Sequence, residues 1–435
     1  MGQKLTLTED MQRVLHIVNE TNENLFVTGK AGTGKTTLLQ QVVKKCKKNI
    51  VVAAPTAIAA INAGGVTLHS LFRLPFGVIT PDLVKTSKFY KFQRKVIANL
   101  QTLIIDEVSM VRADVIDALD AKLKIVKKNN EPFGGVQIIM FGDLSQLLPV
   151  TKKEEKEILD KYYPEYFFFN ASVWKETGFH VINLSQIFRQ SDQTFIDLLN
   201  NIRNYELTAE DMDILSELKN KNISESYTGE YIHLCTHKAS VEKINATLLG
   251  EPTWSSEVVL SDDFPTNAIP CDQTLKLRVG ARVMALCNNS TLGYYNGMLG
   301  EVVELGSNYV LVRTDEGKVI NFTPHKWSHI QYIVDGDQIK QQEIGSCEQY
   351  PLTLAWAITI HKSQGLTFNK AILHISRTFC SGQLYVALSR CRTLEGVITD
   401  GYVTRRMLIP EPALIKFEKQ YRANGNWYGK VNEIE

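Results

Sequence analysis

Eight residues, Gly29-Lys-Ala-Gly-Thr-Gly-Lys-Thr36, leave the chain few folds to choose from. The spacing Gly-x-x-x-x-Gly-Lys-Thr is that of a phosphate-binding loop. Glycines let the backbone N–H groups from Gly29 through Ala31, Gly32, Thr33 and Gly34 to Thr37 turn toward one anion at a helix N-terminus. Lys35 adds a point charge, and the Thr36 hydroxyl offers a ligand to Mg²⁺. Such a loop works only between a buried strand and a helix. Asn24-Leu-Phe-Val-Thr28 before it reads as that strand, and Thr37 to Lys48 after it reads as that helix.

Further apolar, β-rich runs follow at Ile50–Ala54, Thr102–Ile105, Val136–Phe141 and His180–Leu184, separated by segments that can be helical. This alternation predicts an α/β fold with a parallel sheet covered on both faces. Thr8-Glu9-Asp10 ahead of Met11, Leu15 and Val18 predicts a capped amphipathic helix in front of the first strand. The run Leu103-Ile-Ile-Asp106-Glu107 ends a strand on two carboxylates, at the edge where open α/β sheets bind ligands. Asp106 suits Mg²⁺ coordination, and Glu107 suits orienting or deprotonating an attacking water. A nucleotide and Mg²⁺ are therefore the expected ligands. A kinase or a GTPase could share this much, because the loop reports nucleotide binding and not its use.

The charge balance narrows the partners. With 48 Lys+Arg against 47 Asp+Glu over 435 residues, a net charge of +1 argues against a basic coat for nucleic acid, so a polyanion must be met locally, in a cleft. No run approaches 18 apolar residues, which argues against a membrane partner or a membrane-spanning helix. Met1 to Thr6 lacks the apolar run of a signal peptide; it fits the loose pattern for N-myristoylation, which is short enough to arise by chance. Seven scattered cysteines without a C-x-x-C pair suggest reduced thiols and a reducing compartment.

From about Leu275 the pattern changes to short, closely spaced strands at Arg282–Leu286, Gly300–Leu305, Tyr309–Thr314 and Lys318–Phe322, with Asp315-Glu316-Gly317 as a hairpin turn. Residues 277–345 are expected to form a small β-barrel inserted in a second α/β domain. Leu352-Thr-Leu-Ala-Trp-Ala-Ile-Thr-Ile360 reads as one buried strand where that domain resumes. The expected division is 1–183, with a short insertion at 63–77; 184–276 plus 346–407; the barrel at 277–345; and a C-terminal helix with a polar end over 408–435.

Four more constellations carry polar groups on strand or helix ends: Ala54-Pro55-Thr56-Ala-Ile-Ala-Ala60 with Gly65-Val-Thr67-Leu-His69-Ser70-Leu-Phe72; Phe141-Gly-Asp143-Leu-Ser-Gln146; Ala355 to Thr367, including Thr359, His361, Lys362 and Gln364; and Gly382 to Arg390. On their own the first two segments read as helix caps. The order of all the blocks, over about residues 5 to 405, resembles superfamily 1 DNA helicases of the B branch. Within it, Leu119-Asp-Ala-Lys through Pro132-Phe-Gly-Gly-Val-Gln137, Leu354-Ala-Trp-Ala-Ile-Thr-Ile-His-Lys-Ser-Gln-Gly365 and Tyr385-Val-Ala-Leu-Ser-Arg390 are similar to the Pif family.

The resemblance implies two RecA-like domains in tandem, ATP between them, and 5′ to 3′ translocation on single-stranded DNA with unwinding of duplex that has a 5′ single-stranded tail. G-quadruplex DNA and RNA–DNA hybrids are further substrates it leaves open, together with repair, recombination and telomere roles. It makes Arg189 and Arg390 the arginines that reach the γ-phosphate, and Gln146 and Gln364 sensors of it. Pro55, Thr56, Thr67, His69, Ser70 and Phe72 become DNA contacts of the first domain, and Thr359, His361 and Lys362 those of the second. The expected state is a monomer or a weak DNA-induced dimer. The expected place is the bacterial cytoplasm near the nucleoid, or the nucleus or mitochondrion in a eukaryote, with the compact chain favouring a bacterial or phage-related version.

Three departures from the family's pattern stand out. The adenine-reading slot after Leu7 holds Met11, which leaves Gln12 as the candidate. Lys124 and Lys127 stand where arginines are usual. The segment 63–77 is short, so a minimal wedge with Phe72 or Phe76 as its apolar tip is expected. The rival readings are a RecD-type or conjugative helicase subunit, an ATP-switched DNA-binding module that does not unwind, and a protein unfoldase.

Overall fold

A computed structural model describes the chain outside residues 1–6, 87–88, 150, 191, 221–230, 263, 376–380, 424–426 and 429–435. The Met1–Thr6 pattern and most of the polar end after 423 thus lie outside the described residues. The chain divides into two compact units: Met1–Phe188 with Ile330–Gln342 and Glu411–Glu435, and Arg189–His329 with Glu343–Pro410.

The first unit opens with α1 (Glu9–Glu20), capped by the Thr8 side chain, which accepts from the Met11 N–H. It continues through β1 (Asn24–Gly29), α2 (Lys35–Lys45), β2 (Ile50–Ala54), α3 (Ala57–Ala63), β3 (Val66–Thr67), α4 (Leu68–Phe72), α5 (Pro81–Thr86), α6 (Lys91–Asn99), β4 (Thr102–Ile105), α7 (Ala113–Lys127), β5 (Gln137–Phe141) and β6 (Phe179–Leu184). The sheet order is β6-β1-β5-β4-β2-β3, every pair parallel, with Trp427–Tyr428 added beside β6. The central strands are apolar on both faces because helices cover both. Met11, Val14 and Val18 of α1 pack with Leu38, Leu39 and Val42 of α2 on one face. On the other, Leu119 and Leu123 of α7 join Phe168, Trp174 and Phe133.

The C-terminal helix Pro412–Ala423 packs into this second core through Leu414 and Phe417; the Phe417 ring stacks on Phe169 at 4.1 Å. It therefore forms part of the first unit, and does not stand apart at the end of the chain.

The hallmark segment of the sequence is a tight cap on α7. Phe133, Gly134 and Gly135 all have positive φ, and a Cβ on Gly134 would come within 2.9 Å of the Leu123 carbonyl oxygen. Only glycine fits there. The Phe133 N–H donates to Asp120, which Lys124 also pairs with at 2.8 Å, while the Lys127 ammonium donates to the Ala98 and Leu100 carbonyls. The two lysines that stand in arginine positions thus have local structural partners.

In the second unit, a four-stranded parallel sheet is formed by β7 (Ile232–Cys235) and three strands late in the chain. Between them run β8 (Trp254–Glu257), β9 (Val259–Asp262), β10 (Thr274–Leu277), β11 (Arg282–Ala285), β12 (Leu299–Leu305), β13 (Val310–Thr314), β14 (Val319–Phe322), β15 (His325–Asp335), β16 (Gln338–Gln349) and β17 (Leu352–Leu354). The parallel sheet is completed by β18 (Ala357–Thr359), β19 (Ala371–His374) and β20 (Val397–Thr399), in the order β18-β7-β19-β20.

Two sequence expectations change here. The antiparallel sheet β14-β13-β12-β11-β17 draws on 282–322 and then 352–354, so 325–349, assigned by sequence mostly to the barrel, is a long separate hairpin. Its tip residues group with the first unit, where the Tyr332 hydroxyl accepts from the Val52 N–H and Asn49 bonds both Asp337 and Ile339. The apolar run 352–360 is not one strand. Its first part pairs antiparallel with β11 and its second part parallel with β7, the change of sheet falling at Ala355 and Trp356. A run apolar on both faces serves either sheet, so hydropathy could not show the break.

A partly buried polar chain lies in the parallel sheet. His233 Nδ1 and His374 Nε2 are 2.8 Å apart, and His374 Nδ1 lies 2.9 Å from Asp400. Burial, and secondarily His374, depress the His233 pKa to about 4. The native residue thus stays neutral while the unfolded chain takes a proton near its ordinary pKa of about 6.5. Its contribution is complete above that pH and is lost as the pH falls toward 4, amounting to about 2 kcal/mol by pH 5. Thermal melting should therefore fall more steeply between pH 7 and 5 in the parent protein than in His233→Gln; equal slopes would remove His233 as the cause.

Candidate nucleotide site and nucleic-acid edges

In the first unit the glycine loop joins β1 to α2 at the C-terminal edge of the sheet. Gly32 and Gly34 have φ of 83° and 84°, and a Cβ on Gly34 would meet Met11 Cε at 2.9 Å. A Cβ on Gly29 would come within 2.7 Å of Thr33 Oγ1. Thr33 itself is buried, with its hydroxyl donating to the Lys30 carbonyl. The Lys35 ammonium donates to the Gly29 and Lys30 carbonyls at 2.6 and 3.1 Å, which holds its charge over the loop. Thr36 is exposed and Thr37 half-buried on the first turn of α2.

Asp106 and Glu107 follow β4 on the same edge. Glu107 takes a left-handed conformation, φ 49° and ψ 42°, rare for a side chain of this kind and a feature that gathers at functional sites. Its backbone N–H donates to Asp106 Oδ1 at 2.9 Å, which fixes the Asp106 carboxyl against the turn. Burial pushes the Asp106 pKa up to about 6, against the pull of the Glu107 N–H and the Lys35 charge. A carboxylate whose charge is under-compensated in this way suits a divalent cation, and Mg²⁺ needs only one or two protein oxygens beside those of a nucleotide. The donor set therefore fits such an ion, with Asp106 and the Thr36 hydroxyl as the protein oxygens that could hold it.

Gln146 and Asp143 follow β5 on that edge. Both are buried, and the Gln146 amide donates to Asp143 at 2.8 Å. Gln12 stands elsewhere: it is exposed, and its amide donates to the Leu7 carbonyl at 3.1 Å. The helix turns Met11 inward with Val14 and Val18, so Met11 is the residue brought to the loop. Phe188, exposed and within 3.8 Å of a Cβ on Gly34, is a second neighbour that sequence reasoning passed over. Its N–H donates to the Gly32 carbonyl.

Thr56 follows β2, and Thr67 ends β3. Thr56 Oγ1 accepts from the Ala59 N–H and Thr67 Oγ1 from the Ser70 N–H, so both cap helices, as their isolated motifs suggest. A capping oxygen uses a lone pair and keeps its own O–H to donate to a phosphate. Pro55 is half-buried, Ser70 is exposed, and His69 stacks on Phe76 with ring centres 5.6 Å apart. Burial, and then Arg112, lower the His69 pKa. Phe72 must be withdrawn as a DNA contact or wedge tip. It is wholly buried, because Leu68, Leu71 and Phe72 form the core face of α4. Phe76, the other candidate for the tip, is 84% exposed.

The second unit has a comparable edge. Thr359 ends β18, and its hydroxyl accepts from the Lys362 N–H; His361 is half-buried and Lys362 exposed. Burial lowers the His361 pKa. Thr236, His237 and Lys238 follow the neighbouring strand β7, where Cys235 pairs with Thr359. Polar residues after the buried run 232–235 repeat the pattern at Ala54-Pro-Thr.

Arg189 and Arg390 are held inside the second unit. Arg189 donates to the Ser389 carbonyl at 3.0 Å and reaches Gly365. Arg390 is buried and donates to Val386, Ser363 and the Ser389 hydroxyl. Gln190 clips the same turn by donating to the carbonyls of Ser389 and Cys391. Gln364 is half-buried on the turn after His361.

A model of the PIF1-like helicase family matches residues 6–213. The human ATP-dependent DNA helicase PIF1 is 34% identical over 406 residues, covering 91% of this chain and 60% of the human protein. The ATP-dependent DNA helicase Pif1 of Bdellovibrio bacteriovorus is 31% identical over 412 residues, covering 92% of this chain and 89% of that one. The crystal structure of Bacteroides sp Pif1 with ADP-AlF4 is 58% identical with a TM-score of 0.94, covering 98% of this chain and all of the other. Bacteroides Pif1 bound to single-stranded DNA matches at the same identity with a TM-score of 0.72. The chain spans about 60% of the length of the human relative.

Proposed function

The chain belongs to the PIF1-like helicase family, and from that premise we propose that it is an ATP-dependent DNA helicase that moves 5′ to 3′ on single-stranded DNA and unwinds the duplex ahead. The observation that carries this reading is the shared sheet edge of the first unit. There the phosphate loop and the Asp106–Glu107 pair stand with Thr56, Thr67 and Ser70, short donors suited to a sugar-phosphate backbone.

In the proposed mechanism the loop N–H groups and Lys35 bind the phosphates of ATP. Thr36 and Asp106 would hold Mg²⁺, which when bound would neutralise charge on the phosphate oxygens. Glu107 orients water and takes its proton. Arg189 and Arg390 supply positive charge to the transferring phosphoryl group, and Gln146 and Gln364 register its presence. Thr56, Thr67, Ser70, Thr359 and Lys362 grip phosphates in alternation. The depressed pKa values of His69 and His361 leave them neutral near pH 7, so they act as hydrogen-bonding and stacking groups. Phe76 is the apolar tip that parts the strands.

The test is an unwinding assay with a 5′ tail, a 3′ tail or none. Single-stranded DNA should raise ATP hydrolysis strongly, and only the 5′-tailed duplex should open. An ATPase without unwinding would favour a nucleotide-switched binding module, and opening from the 3′ tail alone would overturn the polarity. Among the described residues, no helix is long and apolar enough to cross a membrane.

A further inference from the structure

The segment from Arg73 to Lys95 holds six of the chain's 48 basic residues and one of its 47 acidic ones. In a chain of near-zero net charge this is a local concentration, and it coincides with aromatic rings left in water. Tyr90 and Phe92 are 57% and 39% exposed and stack on one another, with ring centres 6.0 Å apart and an angle of 12° between planes. The Arg73 guanidinium lies 3.6 Å over the Tyr90 ring. Lys91 and Arg94, three residues apart on α6, are exposed beside them.

The arrangement is anchored and cannot collapse inward. Buried Gln93 donates to the Ser70 carbonyl at 2.8 Å, and Val96 and Ile97 are in the core. Ser70 and Arg73 also tie the patch to α4, whose His69 carries the exposed Phe76. The patch thus adjoins the tip proposed to part the duplex. Large rings kept exposed forgo the free energy of burial, which marks an interaction site. Flat rings flanked by Lys and Arg are what an unpaired strand needs: bases add to the stack, and phosphates meet the cations without regard to sequence. A duplex offers edges and phosphates but no free base faces.

We infer that Tyr90 and Phe92, with Arg73, Lys91 and Arg94, form a second single-strand site that receives the strand displaced at the fork. This rests on the helicase reading, in which one strand is tracked and the other is shed. Capture of the shed strand opposes reannealing behind the tip.

Two exposed-surface variants test it, Tyr90→Ala/Phe92→Ala and Lys91→Glu/Arg94→Glu. Each is compared with the parent protein on a duplex with a 5′ tail only and on the same duplex with an added 3′ tail on the displaced strand. The parent should open the fork several-fold faster than the one-tailed duplex; the variants should open both at one rate, with single-strand-stimulated ATP hydrolysis within twofold of the parent. Photocrosslinking without ATP, from 4-thiothymidine in the displaced tail, should label the Tyr90–Phe92 segment. Retention of the fork advantage by both variants would overturn the proposal, as would crosslinks arising only from the 5′ tail or a parallel fall in stimulated ATP hydrolysis. If the parent opens neither substrate yet the displaced tail still crosslinks there, the helicase reading falls and the strand site stands.

Discussion

Glu107→Gln should bind ATP and single-stranded DNA as the parent does and hydrolyse ATP at least about a hundredfold more slowly, the usual weight of a general base. The amide has the shape of the carboxylate but cannot take a proton from water. The site should otherwise survive. The left-handed backbone at Glu107 comes from the turn after β4, and the bond that holds Asp106 comes from the Glu107 N–H, which the substitution leaves in place. Equilibrium binding of a fluorescent ATP analogue and of a labelled oligonucleotide, with steady-state hydrolysis at saturating DNA, reads the three quantities separately. Turnover above a tenth of the parent's would remove Glu107 from the role. A loss of nucleotide binding equal to the loss of turnover would make it a binding group instead.

Arg390→Ala should lower DNA-stimulated hydrolysis about a thousandfold, the scale of an arginine that stabilises a transferring phosphoryl group. The structure adds an effect that the motif does not disclose. The guanidinium is buried and donates to two carbonyls and a hydroxyl within its own unit. Alanine leaves those acceptors without the donor and opens a cavity, so stability should drop by about 3 kcal/mol. Arg390→Lys separates the two effects. It keeps a positive charge and most of the volume but lacks the planar fork, so it should recover much of the stability and little of the rate. Thermal melting read beside single-turnover hydrolysis tests this. A lysine variant with parental turnover would leave Arg390 a structural role only, and an alanine variant with parental melting would show that the buried bonds contribute little.

The parts of the chain that could be read in advance share a property: their signal is local. The phosphate loop needs its glycines within a few positions, and the positive φ at Gly32 and Gly34 meets that need where it was expected. The strands at 50–54, 102–105 and 137–141 are short and, after the polar Thr102 and Gln137 that open the last two, apolar; every position but the first of 50–54 is buried, so hydropathy marks them. What failed turned on direction or on distant partners. Phe72 and Phe76 are both large, apolar and four residues apart, yet one is in the core and the other in water. Leu68 and Leu71 put Phe72 on the inner face of a five-residue helix, and Phe76 lies past its end. Met11 and Gln12 are neighbours, and a turn of about 100° per residue gives the loop to Met11. The helix at 412–423 is amphipathic in the sequence, but that its Phe417 would meet Phe169 and Trp174 is a pairing across some 240 residues that no local pattern carries.

The sequence by itself determined the chemistry this protein can attempt, because a phosphate cradle, an acid pair on a strand end and capping hydroxyls are each made from residues close together in the chain. Only the tertiary structure decided which neighbouring side chain faces the loop, where two arginines are stored, and that rings at 90 and 92 stay stacked in water beside Arg73. Those outcomes depend on burial against elements far away in the chain, and burial is a property of the packed whole.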